Sequence, residues 1–187
     1  MPPLTEEAAR NLACGQQVRL SGSVLLARDA AHARMALEME EGLALPFDPK
    51  GAVLFYAGPT PAPPGRVIGA IGPTTSARMD LYTPLLLKAG VRGMIGKGKR
   101  SVEVVAAMME TGAVYFGAAG GAAALLARSV KAVSPLAYAD LGPEAILLLQ
   151  VSDLPLVVAI DSMGNDLFEQ GQKKYCIGTD QVILRKL

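Results

Sequence analysis

The chain has 187 residues, enough for one domain to bury a core without disulfides or a structural metal, and its net charge of +1 excludes a global field drawing it to nucleic acid or an anionic membrane. Two cysteines, Cys14 and Cys176, are too few for a disulfide framework, a four-cysteine zinc site or the thiolates that an iron–sulfur cluster takes from one chain. Apolar residues make up 51% and charged residues 19%, against roughly 45–50% and 25% in ordinary domains, so more apolar surface is expected than a lone monomer exposes, and partner chains with it.

Residues 17–27 read as a strand, and Asp29 as the cap of a helix from Ala30 to about Glu41, closed by Gly42. Ala52 to Tyr56 is a short apolar run, followed by a loop that the prolines of 58–65 force to extend or turn. Residues 66–71 form the next predicted strand. Gly72-Pro73-Thr74 turns the chain into a short helix over Thr75 to Leu81, restarted at Thr83-Pro84 and ended by Gly90. Val91 to Ile95 is a strand leading into Gly96-Lys97-Gly98, after which Ser101 caps a helix over 102–111 with Gly112 at its end. A strand over Ala113 to Phe116, a helix over Ala122 to Val130, a strand over Ala132 to Tyr138, a helix over Pro143 to Gln150 and a strand over Leu156 to Asp161 complete the pattern, with Met163 to Asp166 turning into a closing segment. The alternation predicts an α/β layered domain spanning residues 1–187, a layered sheet with flanking helices.

No stretch of 18 apolar residues is available to span a bilayer, and the acidic amino terminus lacks the basic and apolar regions of a signal peptide, so no membrane and a cytoplasmic location are expected. Chemistry concentrates at three strand ends. In Gly72-Pro73-Thr74-Thr75-Ser76-Ala77-Arg78-Met79-Asp80, a strand passes through two threonines into a helix whose N–H groups and dipole suit a carboxylate, with Arg78 one turn on to grip it by two parallel hydrogen bonds. The same pattern also fits a capping threonine and a solvated arginine. Lys97 lies between two glycines beyond a strand end, where ligands gather in open α/β sheets, while Lys99 and Arg100 read as an exposed turn. In Arg28-Asp29-Ala30-Ala31-His32, Arg28 is placed to face the same mouth, Asp29 caps, and His32 either pairs with Asp29, shuttles a proton or is simply a helix-surface or half-buried histidine ordered by Asp29. Gly117 to Gly121 fits no established phosphate loop and reads better as close packing of a helix on the sheet.

These stretches, with Gly93-Met94-Ile95-Gly96-Lys97-Gly98, Gly120-Gly121-Ala122-Ala123-Ala124, Tyr138-x-Asp140-Leu141-Gly142-Pro143-Glu144-Ala145 and Ala159-Ile160-Asp161-Ser162-x-Gly164-Asn165, resemble the β subunit of class I, iron–sulfur-dependent fumarate hydratase and of its relative L(+)-tartrate dehydratase. The resemblance covers about residues 16–168 and implies a swivelling β/β/α domain docked on an α subunit that carries a 4Fe-4S cluster. It implies a hydro-lyase, reversibly hydrating fumarate to L-malate, in which Arg28, Thr74, Arg78 and Lys97 face a small dicarboxylate. The residue matching Thr74 acts there as the base. Asp29, His32, Thr75 and Asp80 are further candidates, and no metal ligand is assigned to this chain. A heterotetramer with the α subunit, or a homo-oligomer of the isolated chain, is the expected assembly. Ala77 stands where relatives usually carry Gly before the arginine, which leaves L(+)-tartrate open as the substrate. A non-catalytic dicarboxylate-binding module is the reading from another class.

Two arginines and a lysine would give the mouth a charge of +3, suited to a dianion that gains negative charge when a proton α to a carboxylate is removed. A threonine hydroxyl is too weak an acid to serve as base unaided. Arg78 and a helix N-terminus are the groups expected to favour its anion, and orienting substrate or relaying a proton are alternative roles for Thr74.

Overall fold

The computed structural model describes residues 3–119 and 121–175. A short helix α1 (Glu6–Arg10) precedes strand β1 (Gln17–Leu26) and helix α2 (Asp29–Glu40). Strands β2 (Val53–Phe55), β3 (Ala57–Pro59) and β4 (Ile71–Pro73) follow, then a 3₁₀ turn (Ser76–Met79), helix α3 (Thr83–Ala89), strand β5 (Gly93–Gly96), helix α4 (Val102–Thr111) and strand β6 (Val114–Gly117). Helix α5 (Ala123–Arg128), strand β7 (Val130–Ala137), a 3₁₀ segment (Ala139–Glu144), strand β8 (Ile146–Ile160) and helix α6 (Leu167–Tyr175) complete the order.

Strands β1, β2, β5 and β6 run parallel, and β8 runs antiparallel to its neighbours. Because β8 pairs with β6 near Val158 and with β1 from Leu147 to Val157, the order β1-β2-β5-β6-β8 closes on itself. Strand β7 pairs with the first half of β8, and β3 and β4 form a separate antiparallel pair. Alternation along the central strands feeds two cores. Val53 and Phe55 pack with Val24, Ile95, Phe116 and Val158. Leu54 and Tyr56 pack with Met94 and Tyr115 under helices that contribute Met35, Leu87 and Met108.

Local signals place the helices well. Ser101 Oγ accepts the amide of Val104 at 3.4 Å, and Gly112 closes α4 at φ 69°. Four expectations need correction. The predicted helix over 143–150 is strand: Gly142 sits at φ 55°, ψ −118°, which breaks a helix there, and Ile146 to Gln150 pair with β1 or β7. A short apolar run cannot distinguish the two periods, and pairing on both flanks decided it. The strand predicted over 66–71 is displaced to Ile71–Pro73, taking in two residues of the predicted turn, because the chain folds back on Thr60, whose hydroxyl accepts the amide of Ala70 at 2.9 Å. The helix expected over Thr75 to Leu81 is one four-residue 3₁₀ turn. Asp29 is the first residue of α2 rather than its cap, and Arg28 occupies the cap position without a side-chain bond.

Candidate active site

The carboxyl ends of β1, β2, β4 and β5 lie along one rim. The Thr74 amide donates to the carbonyl of Tyr56 at 2.7 Å, the Lys97 amide to Thr74 at 3.3 Å, and the Ser76 amide to Lys97 at 2.9 Å. These bonds make Thr75 and Lys97 bridge partners and set Thr74 beside them. Gly96 allows the approach, since a Cβ there would stand 1.9 Å from Ser76 Oγ. Arg28 reaches the same rim by lying on Gly58, where a Cβ would come within 2.8 Å of its Cζ, and Gly58 faces Gly72 in the β3–β4 pair. Arg78 extends from the Ser76–Met79 turn to Asp29, with Nη2 and Oδ2 2.8 Å apart. Thus Arg28, Thr74, Thr75, Arg78 and Lys97, from four segments, share an edge. Two clefts of about 610 and 550 Å³ lie elsewhere and are lined by none of them.

The charge balance differs from the expected +3. Asp29 pairs with Arg78, and Glu144 Oε1 stands 3.5 Å from Arg28 Nε. Three cations and two carboxylates leave one net positive charge, and Lys97 has no ion pair among the described residues. The amides of Thr74, Ser76 and Arg78 donate within the chain, and a single 3₁₀ turn has little dipole, so the contribution expected from a helix N-terminus is reduced. Arg78, already paired, is likewise a weaker activator of Thr74 than expected.

His32 is buried and does not pair with Asp29. Its Nδ1 donates to the Arg28 carbonyl at 3.1 Å, which fixes the tautomer because a carbonyl only accepts, and its ring meets Tyr56 edge-on with centroids 5.1 Å apart. Burial holds its pKa down to about 4, with the Arg100 charge acting in the same direction, so the ring is neutral at pH 7. A proton-shuttling His32 is not what this environment provides. Asp80 faces inward, bonding Arg100 Nε at 2.7 Å and the amide of Ser101 at 2.6 Å.

Arg100 itself corrects the exposed-turn reading. Its side chain is fully buried, donates to Thr83 Oγ1 at 2.8 Å, and lies over the rings of Tyr56 and Tyr115 at 5.3 and 5.1 Å. Tyr115 in turn bonds Ser76 Oγ at 2.9 Å and donates to the Gly98 carbonyl at 3.0 Å, and burial pushes its hydroxyl up to about 12. This buried layer clamps both loops that carry Thr74 and Lys97. Sequence reasoning missed Arg100, Tyr115, Ser76 and Glu144 as supports. Glu144 lay within a quoted motif, but nothing local marks its reach to α2. Helix α5 packs near β4, where Ala123 Cβ lies 3.4 Å from where a Cβ on Gly72 would be; in the loop before it Gly121 has open space around it, and Gly120, like Cys176, lies outside the described residues.

Among the described residues no group of three or more His, Cys, Asp or Glu could hold a metal ion, and Cys14 directs its thiol to the Ala159 carbonyl. These residues do not fit an iron–sulfur cluster. No described helix is long and apolar enough to cross a membrane. The molecule is thus a mixed α/β domain that presents an Arg–Thr–Arg–Lys rim above a buried polar layer. By sequence it belongs to the fumarase C-terminus family, whose pattern matches residues 2–171. It is 40% identical over 162 residues to "Fumarate hydratase class I, aerobic" of Escherichia coli, covering 86% of this chain and 30% of that protein. "Fumarate hydratase 2" of Leishmania major is 40% identical over 158 residues, 83% of this chain and 28% of that protein. "Putative L(+)-tartrate dehydratase subunit beta" of Methanocaldococcus jannaschii is 38% identical over 177 residues, 91% of both chains. The chain therefore spans under a third of these fumarate hydratases and nearly all of the tartrate dehydratase subunit. The names of these relatives describe hydro-lyases.

Proposed function

We propose that residues 1–187 form one swivelling β/β/α domain, the β subunit of a cytoplasmic hydro-lyase that reversibly hydrates fumarate to L-malate. The observation that carries this reading is the convergence of Arg28, Thr74, Arg78 and Lys97 on one rim in a chain similar to fumarate hydratases. Arg28 and Arg78 grip the two carboxylates of the substrate, the exposed Arg78 exchanging its half-buried partner Asp29 for it. Lys97 stabilises the charge that develops as the proton α to a carboxylate leaves, and Thr74 beside it is the group that moves that proton. The 4Fe-4S cluster belongs to a partner α subunit, which supplies the Lewis acid for the departing hydroxyl, in a heterotetramer or related assembly. Arg78 and Lys97 are exposed at the rim, as residues of half a shared site would be.

L(+)-tartrate is the second reading, favoured by the match in length to the tartrate dehydratase subunit. The test combines the chain with its cluster-bearing partner and compares malate, fumarate and tartrate. The fumarase reading expects malate and fumarate to be preferred, and a wide preference for tartrate overturns it. In the same complex, Arg78→Met and Lys97→Met are each expected to lower kcat/KM by ~100-fold or more, about 2.7 kcal/mol. Wild-type kinetics in both removes them from the site.

A further inference from the structure

Glu144 makes two contacts that both end at the rim. Its Oε2 accepts the amide of Ala30, 114 positions away in sequence, at 2.7 Å. It thereby takes the role of the capping side chain that α2 lacks, since Arg28 at the cap position makes no such bond. Its Oε1 faces Arg28 Nε at 3.5 Å, and no other carboxylate pairs with Arg28 among the described residues. Arg28 thus lies against Gly58 along one side and faces a charge at its Nε edge, an ion pair without a hydrogen bond. The terminal nitrogens are then the fork left for a carboxylate. Glu144 is in turn held firmly, because its segment is strapped to α2. Arg34 makes a two-pronged bond to Asp140 at 2.8 and 2.7 Å, and the Tyr138 hydroxyl donates to Glu38.

We propose that Glu144 is a positioning residue that aims Arg28 at the substrate dicarboxylate and ties the start of α2 to the rim. The inference rests on Arg28 being a substrate contact. Glu144 does not touch substrate; it acts through Arg28.

The experiment uses the enzyme assembled with its partner and the variants Glu144→Gln, Arg28→Met and both together. Gln keeps an acceptor for the Ala30 amide, so α2 stays capped while the charge facing Arg28 is lost. The expected result is a KM for the dicarboxylate raised about tenfold in E144Q with kcat within about threefold, and no further loss when E144Q is added to R28M. A second readout needs no partner: in the chain alone, the ¹⁵N–¹H signal of Arg28 Nε shifts in E144Q as the facing charge is lost. A KM within about twofold of wild type in E144Q, with R28M impaired, overturns the positioning role, as do independent effects that simply add in the double variant. An R28M enzyme with unchanged KM instead removes Arg28 from the substrate site, and the inference falls with that reading.

Discussion

Two arginine–carboxylate pairs of nearly equal length divide this molecule into a buried layer and a rim. Arg100 and Asp80 meet at 2.7 Å with side chains 0% and 12% exposed, whereas Arg78 and Asp29 meet at 2.8 Å with side chains 55% and 25% exposed. Contact length does not separate them, but solvent does. In the buried pair the charges have no water to return to, and Thr83, the Ser101 amide and two aromatic rings hold the rest of the network. At the rim, water and salt compete for Arg78, whose side chain is more than half exposed, so the pair costs less to break than the buried one even though Asp29 Oδ2 lies out of solvent. A strong pair suits a clamp that must not move. A weak one suits a cation that must change partners when a diacid arrives.

The largest effect that would break this comparison is expected in the buried layer. Asp80→Asn, which leaves Arg100 buried without its counter-charge, should cost about 3–5 kcal/mol in denaturant unfolding. A loss under about 1 kcal/mol would place Arg100 in the same class as Arg78.

The next effect concerns His32, which shares that layer. Its folded pKa of about 4 lies below the ordinary value of 6.5, so the unfolded chain binds the extra proton between those pH values. The stability owed to the neutral ring is therefore fully present above pH 6.5 and is lost as the pH falls toward 4, by about 3 kcal/mol. His32→Gln should flatten the fall in stability between pH 7 and 4. An unchanged slope would mean that the ring is not held neutral.

The smallest effect belongs to the rim. Asp29→Asn should change unfolding stability by less than about 1 kcal/mol. A loss comparable to that of Asp80→Asn would mean that the rim pair is structural, and the partner exchange proposed for Arg78 would not survive it.

What could be read in advance follows from the range of the interactions. Ser101 and Gly112 bound α4 through contacts within one turn, and Pro84 lies in the first turn of α3, so those signals stand in the sequence itself. The family motifs named Arg28, Thr74, Arg78 and Lys97 as candidates, while their arrangement on one edge comes from the Thr75–Lys97 bridge between two separate loops. Arg100 had no local mark to distinguish it from Lys99, which instead bonds Gln172 on the surface. The 143–150 segment read as helix because Ile146 to Leu149 is too short a run to show its period.

By itself, the amino-acid sequence determined most of the alternation of strands and helices, though not the 143–150 strand, together with the helix ends set by Ser101, Gly112 and Pro84 and the residue types available at the strand ends. Only the tertiary structure decided that β8 closes the sheet onto β1, that Arg100 goes inside, and that Asp29 and Glu144 offset two of the three rim cations. The reason is physical. Propensity, capping and turn chemistry act over three or four residues, whereas strand pairing, desolvation and ion pairing depend on which distant segments meet, and Glu144 meets Ala30 across 114 positions.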